Sequence, residues 1–129
     1  MKILLSIKPE YVSRIFSGEK RFEFRKSIFR DPTVNEVYIY ATSPVKMIVG
    51  KFGIKDIHEE TPTELWKDTH EFAGIGKEAF FTYFRGRERG YAIEIMDVTE
   101  FSSPIDPRET IKDFVPPQSF VYLKDLVLT

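Results

Sequence analysis

The sequence predicts an α+β protein, a small and strongly bent β-barrel or half-barrel with two to four helices packed outside it. Three observations lead there. Strand-like segments outnumber helical ones along the chain. Their order, β-α-β-β-β-α-α-β-β, lacks the strict alternation of a parallel α/β sheet. The long strand pattern "KMIVGKFGIKDI", residues 46–57, also carries Gly50 and Gly53 inside it, which reads as a bulge or bend where the sheet curls.

Each element has a local reason. "KILLSI" is a short apolar run with β-branched residues, the pattern of a strand buried on both faces. In "KPEYVSRIFSGE", Pro9 suits a first helical turn, Val12, Ile15 and Phe16 recur at helical spacing, and Gly18 ends the helix. "KRFEFRK" alternates as a strand. "NEVYIYA" does too, with Val37, Ile39 and Ala41 on one face and Tyr38 and Tyr40 on the other. Pro44 makes "ATSPV" a turn. "TPTELWKDT" opens a helix with Thr61 as N-cap, Pro62 in the first turn and Glu64 at the capping-box position, and Trp66 reads as its anchor to the barrel. "GKEAFFTYFRG" is a second amphipathic helix with Phe80, Phe81 and Phe84 on one face. "GYAIEIMDV" is a strand, and the tail from Asp106 holds a short helical turn, a Pro-Pro loop and a closing strand.

The bulk numbers bound the function. A length of 129 residues with no long linker or internal repeat fits one domain over residues 1–129. Without cysteine there are no disulfides, thiolate nucleophiles or Cys-based zinc sites. No apolar stretch approaches a membrane span and no signal peptide leads the chain, so the expected location is cytoplasmic, with no membrane partner. A net charge of −1 argues against coating nucleic acid by bulk electrostatics. Yet residues 1–30 hold eight Lys/Arg against three acids, a local excess of positive charge. Arg85, Arg87 and Arg89 form a second, smaller cluster that reads as solvated surface.

The densest part of that excess is "GEKRFEFR", residues 18–25. If Phe22 and Phe24 point into the barrel, Arg21, Glu23 and Arg25 share the opposite face, with Lys20 at the entrance from the helix. One carboxylate among several cations suits a ligand that is both anionic and hydrogen-bonding. A Lys beside a carboxylate also forms a proton-transfer pair when burial depresses the Lys pKa. For an arbitrary strand a solvated face of exposed ion pairs is the commoner outcome, and periodicity alone does not overturn it.

A resemblance separates these. Gly18, Lys20, Glu23 and Arg25 match, position for position, the G-x-K-x-x-E-x-R signature of the ASCH domain family, part of the PUA-like β-barrel superfamily. The leading strand and helix, "VYIYATSPVKMIVGKF" and "PPQSFVYL" are similar to the family as well, so the resemblance covers essentially the whole chain. It implies a PUA-like barrel with a cleft between barrel and helices, walled by Lys20, Glu23 and Arg25. It also implies RNA or a nucleotide as ligand, in RNA metabolism or transcription regulation. Some bacterial members of the resembling family are enzymes that deacetylate N4-acetylcytidine or cleave RNA. In the deacetylases a threonine nucleophile stands where this chain has Glu23, and a carboxylate does not replace that hydroxyl. Those enzymes also use a glutamate ahead of the late helix, for which Glu71 and Glu78 are the candidates.

The binding reading therefore assigns Lys20, Arg21 and Arg25 to phosphate or ribose, and Glu23 to a base edge or to orienting Lys20. Tyr40 is a stacking candidate, Thr42 and Ser43 offer hydroxyls at the rim, and Gln118 and Ser119 offer an amide and a hydroxyl after a rigid Pro-Pro. The alternative is a small hydrolase acting on an N4-acetylcytidine-type amide or on RNA, with Lys20 and Glu23 as the catalytic acid/base pair. An interaction domain without a ligand is a third reading. Nothing calls for a cofactor, and the only histidines, His58 and His70, form no metal motif. "GIGKE" fails as a phosphate loop, because Glu71 and Glu78 stand where glycine and Ser/Thr are required.

Overall fold

The computed structural model describes residues 1–123. The closing strand expected in the tail is described only as far as Leu123, and residues 124–129 lie outside it. The apolar run at the N-terminus forms β1 (Lys2–Ile7), and Pro9 starts α1 (Pro9–Ser17), which Gly18 terminates with φ +88°. The signature strand is β2 (Phe22–Arg25), followed by β3 (Glu36–Ala41) and the long β4 (Met47–Glu60). Thr61 caps α2 (Pro62–Thr69) by accepting the Glu64 N–H, and a 3₁₀ turn, His70–Phe72, leads toward α3 (Lys77–Tyr83). The chain then forms β5 (Gly90–Ile105), a short α4 (Pro107–Thr110) and β6 (Phe120–Tyr122).

The strands make one six-stranded sheet in the order β2-β5-β4-β3-β1-β6. Among the described strands β1 and β3 pair parallel, and the other pairings are antiparallel. Repeated register shifts between β4 and β5 bend the sheet strongly. Gly50 is required at one of them, since a Cβ there would lie 2.4 Å from the Thr99 carbonyl oxygen and 2.7 Å from the Phe16 ring. The curl brings β2 back toward β1 although three strands separate them in the sheet. Arg25 Nη2 on β2 donates to the Ser6 carbonyl of β1 at 2.9 Å. This is a six-stranded half-barrel whose seam, between β2 and the end of β1 beyond its pairing with β6, is bridged by a side chain instead of a ladder.

Three apolar clusters hold it. The central one lies between the sheet and α1, and joins Ile3, Leu5 and Ile7 to Val37, Ile39, Phe52, Ile93, Val12 and Ile15. Tyr38 and Tyr40 face the other side with Leu4, Ile48 and Phe114. A third seats α2 and α3 on the sheet through Leu65, Phe80, Phe84, Phe24 and Ala92, with Trp66 packed 5.0 Å from the Phe80 ring.

The facing of β2 corrects the expectation. Phe24 goes to the α2/α3 cluster, 4.9 Å from the Phe80 ring. Glu23, paired with Ile93 of the central core, turns to the inner side. The reason is the helical insertion, whose aromatic face offers the phenylalanines a better partner than the open seam. Strand β5 also runs past the expected Val98 to Ile105.

Candidate functional site

The unpaired seam leaves a cavity of about 420 Å³, walled by the ends of β1 and β2, the start of α1, and α3. That is within the range of small-ligand sites. Lys20, Glu23 and Arg25 all line it. Lys20 reaches it because Gly18 turns the chain off α1 and the Lys20 backbone N–H donates to the Arg14 carbonyl at 2.9 Å. Glu23 and Arg25 reach it by strand alternation, two residues apart on one face of an edge strand.

The three form one chain of charge. Arg25 Nη2 donates to Glu23 Oε2 at 2.8 Å, and Glu23 Oε1 lies 3.9 Å from Lys20 Nζ. The latter is an ion pair rather than a hydrogen bond. Lys20 Nζ instead donates to the Ala73 carbonyl at 2.8 Å and stands over the Phe24 and Tyr11 rings, at 4.8 and 5.3 Å. With Lys20 only 3% exposed, burial pulls its pKa down to about 8; Glu23 opposes the shift and Arg25 and Arg14 add to it. Two cations therefore compete for one buried carboxylate, and the lysine yields its proton more easily. Arg25 Nε is buried without a hydrogen-bond partner among the described residues. A buried donor of that kind calls for an acceptor.

Two tyrosines flank the charges, Tyr11 on α1 and Tyr83 on α3. Burial raises the pKa of the Tyr83 phenol, while the neighbouring Arg25 pulls against it. Two exposed cations complete the surroundings: Lys8 lines the cavity, and Lys26 Nζ lies 4.7 Å from the ring centroid of Tyr83, which lines it.

The other candidates fall elsewhere. Arg21 is exposed and stacks its guanidinium on Phe72, 4.1 Å from the ring centroid. Tyr40 is 2% exposed in the cluster on the far side of the sheet. Thr42 and Ser43 form the turn beyond β3, where the Thr42 N–H donates to the Ile7 carbonyl. Gln118 is exposed and Ser119 half-buried, just after Pro117, whose carbonyl accepts Ser6 Oγ at 2.6 Å. That contact sets them near the cavity wall without placing them in it. Glu71 and Glu78 are exposed. Sequence reasoning missed Ser6, Tyr11, Arg14, Gly74 and Tyr83. Tyr11 carried a signal, one turn before Ile15 on the buried face of α1. Tyr83 and Gly74 depend on how the insertion docks, which no local pattern encodes.

Comparisons with known proteins agree with this architecture. The ASCH domain family matches residues 5–105. An ASCH domain-containing ribonuclease of Zymomonas mobilis is 31% identical over 127 residues, covering 94% of this chain and 83% of that protein. The crystal structure of ASCH from Zymomonas mobilis superposes with a TM-score of 0.88 at 30% identity, over 96% of this chain and 88% of that one. The hypothetical protein PH0355 is 21% identical, with a TM-score of 0.53 over 81% of this chain and all of that one, and shares the fold alone. With its signature in place, residues 5–105 matched by the family and a relative 31% identical over nearly the whole chain, the chain belongs to the ASCH domain family.

Proposed function

We propose that this ASCH domain acts on RNA, taking one nucleotide of an unpaired strand into the seam cavity and cleaving the adjoining phosphodiester. The observation that carries the reading is the buried Lys20 amine, drawn down to a pKa of about 8 beside Glu23 and Arg25 in an open cavity. A proton-transfer group works best with a pKa near the working pH. The relatedness to an ASCH domain-containing ribonuclease supports RNA as the substrate class. An unstacked base fits a small cavity, whereas a duplex does not.

The chemistry follows from the charges. Neutral Lys20 accepts the proton of the ribose 2′-hydroxyl, and the 2′-oxygen bonds to phosphorus. The bond from phosphorus to the 5′-oxygen then breaks, giving a cyclic phosphate and a 5′-hydroxyl that takes its proton from water. Glu23 holds the new ammonium. Arg25 Nε donates to the phosphoryl oxygens as their negative charge grows. Lys8 and Lys26 hold flanking phosphates.

The test is incubation with end-labelled single-stranded and duplex RNA, using wild type and Lys20→Arg. The expected result is cleavage of the single strand alone, lost at least a hundredfold in the variant. Equal cleavage by both proteins would contradict the assignment. Release of acetate from N4-acetylcytidine with no RNA cleavage would move the reading to the amide.

A further inference from the structure

The segment "FAGIG", residues 72–76, lies far from the signature in sequence and joins the 3₁₀ turn to α3. Three successive carbonyls of this segment are each taken by a donor from the region around the signature. Phe72 accepts the Arg21 backbone N–H at 2.8 Å, Ala73 accepts Lys20 Nζ at 2.8 Å, and Gly74 accepts Arg14 Nη1 at 2.9 Å. Arg14 closes the loop from the other side, because its own carbonyl accepts the Lys20 backbone N–H. One arginine thus holds both the strap and the base of the lysine.

The fit against Lys20 is close enough to dictate a residue type. Gly74 has φ +64°, and a Cβ on it would lie 2.3 Å from Lys20 Cβ and 2.9 Å from Lys20 Cα. The second of these is backbone and cannot swing aside. Glycine is therefore required twice, by conformation and by contact.

We infer that the Phe72–Gly74 strap, anchored by Arg14, is the positioning element of the Lys20 amine. A lysine side chain has four rotatable bonds, and its amine is ordinarily free to rotate through all of them. Here one N–H is fixed on the Ala73 carbonyl. The remaining directions, including the lone pair of the neutral amine, are left to Glu23 and the cavity. The strap also shuts water away from the stem, so the low proton affinity of Lys20 depends on its staying in place. This rests on the functional reading above only in giving the positioned amine a task.

The test compares wild type, Gly74→Ala and Arg14→Lys. The second variant keeps the charge near Lys20, so any change reports the lost contact with the Gly74 carbonyl. The pH dependence of Lys20 acetylation by acetic anhydride is followed by mass spectrometry, alongside single-turnover cleavage of single-stranded RNA. Both variants are expected to raise the Lys20 labelling midpoint by about a unit or more, cutting the neutral amine at neutral pH about tenfold. The rising limb of the cleavage profile should move with it. Wild-type midpoints in a folded Gly74→Ala overturn the inference; if that variant does not fold, wild-type behaviour of Arg14→Lys does so. Shifted midpoints in a protein that never cleaves RNA leave the positioning role standing and overturn the functional reading instead.

Discussion

Lys20 is 3% exposed and its amine titrates near 8, so its burial couples charge to stability. Below about pH 8 the lysine is protonated in both folded and unfolded chains, and the fold carries the full cost of burying the cation. Between about 8 and the unfolded value of 10.5 only the unfolded chain holds the proton, so stability rises with pH; above that range the gain is complete. We expect denaturant unfolding to show a gain on the order of 3 kcal/mol across that window in wild type, and none of it in Lys20→Met. Arg25→Met should destabilise by about 3–5 kcal/mol at neutral pH, because it removes the close partner of a buried carboxylate. The types of these residues and their strand were legible in "GEKRFEFR". Tyr40 shows the limit, since alternation placed it correctly opposite Ile39 but said nothing of the cover that Phe114 and Leu123 provide.

At the scale of elements, the caps and breaks were the readable part. Pro9, Gly18 and Thr61 bound their helices through local chemistry that involves no distant partner. The direction in which β2 faces was not readable, because a period of two defines two faces and leaves the choice between them to whatever packs on each. Here α2 and α3 decide it by drawing Phe24 into their aromatic cluster. Gly50 could be read as a site of curvature, and the structure adds the reason, a Thr99 carbonyl 2.4 Å from where a Cβ would sit. Gly50→Ala should therefore cost about 1–3 kcal/mol by thermal or denaturant unfolding, as overpacking does, while Gly53→Ala, with ordinary contacts at 3.4 Å or more, should cost less.

Over the whole molecule, the half-barrel followed from strand count, element order and interior glycines. Its seam did not, because closure of β2 against β1 depends on the accumulated bend of β4 and β5. That seam holds Lys8, Lys20 and Arg25 out of the positive charge of residues 1–30, on a chain of net charge −1, while Lys2 pairs with Glu36 and Arg21 stacks on Phe72. RNA binding should accordingly be local and salt-dependent. With Lys8, Arg25 and Lys26 on three phosphates, log affinity against log salt should fall with a slope of about −2, and Lys8→Ala or Lys26→Ala should each reduce that slope by about 0.7. A slope near zero in a filter-binding titration would contradict phosphate contact. The most direct measurement of the central claim is a crystal structure with a single-stranded RNA carrying one 2′-deoxy nucleotide at the scissile position. The account predicts that nucleotide in the seam, with a phosphate oxygen in hydrogen-bond reach of Arg25 Nε and its sugar beside Lys20 Nζ. RNA bound along Arg85, Arg87 and Arg89, with the cavity empty, would contradict it.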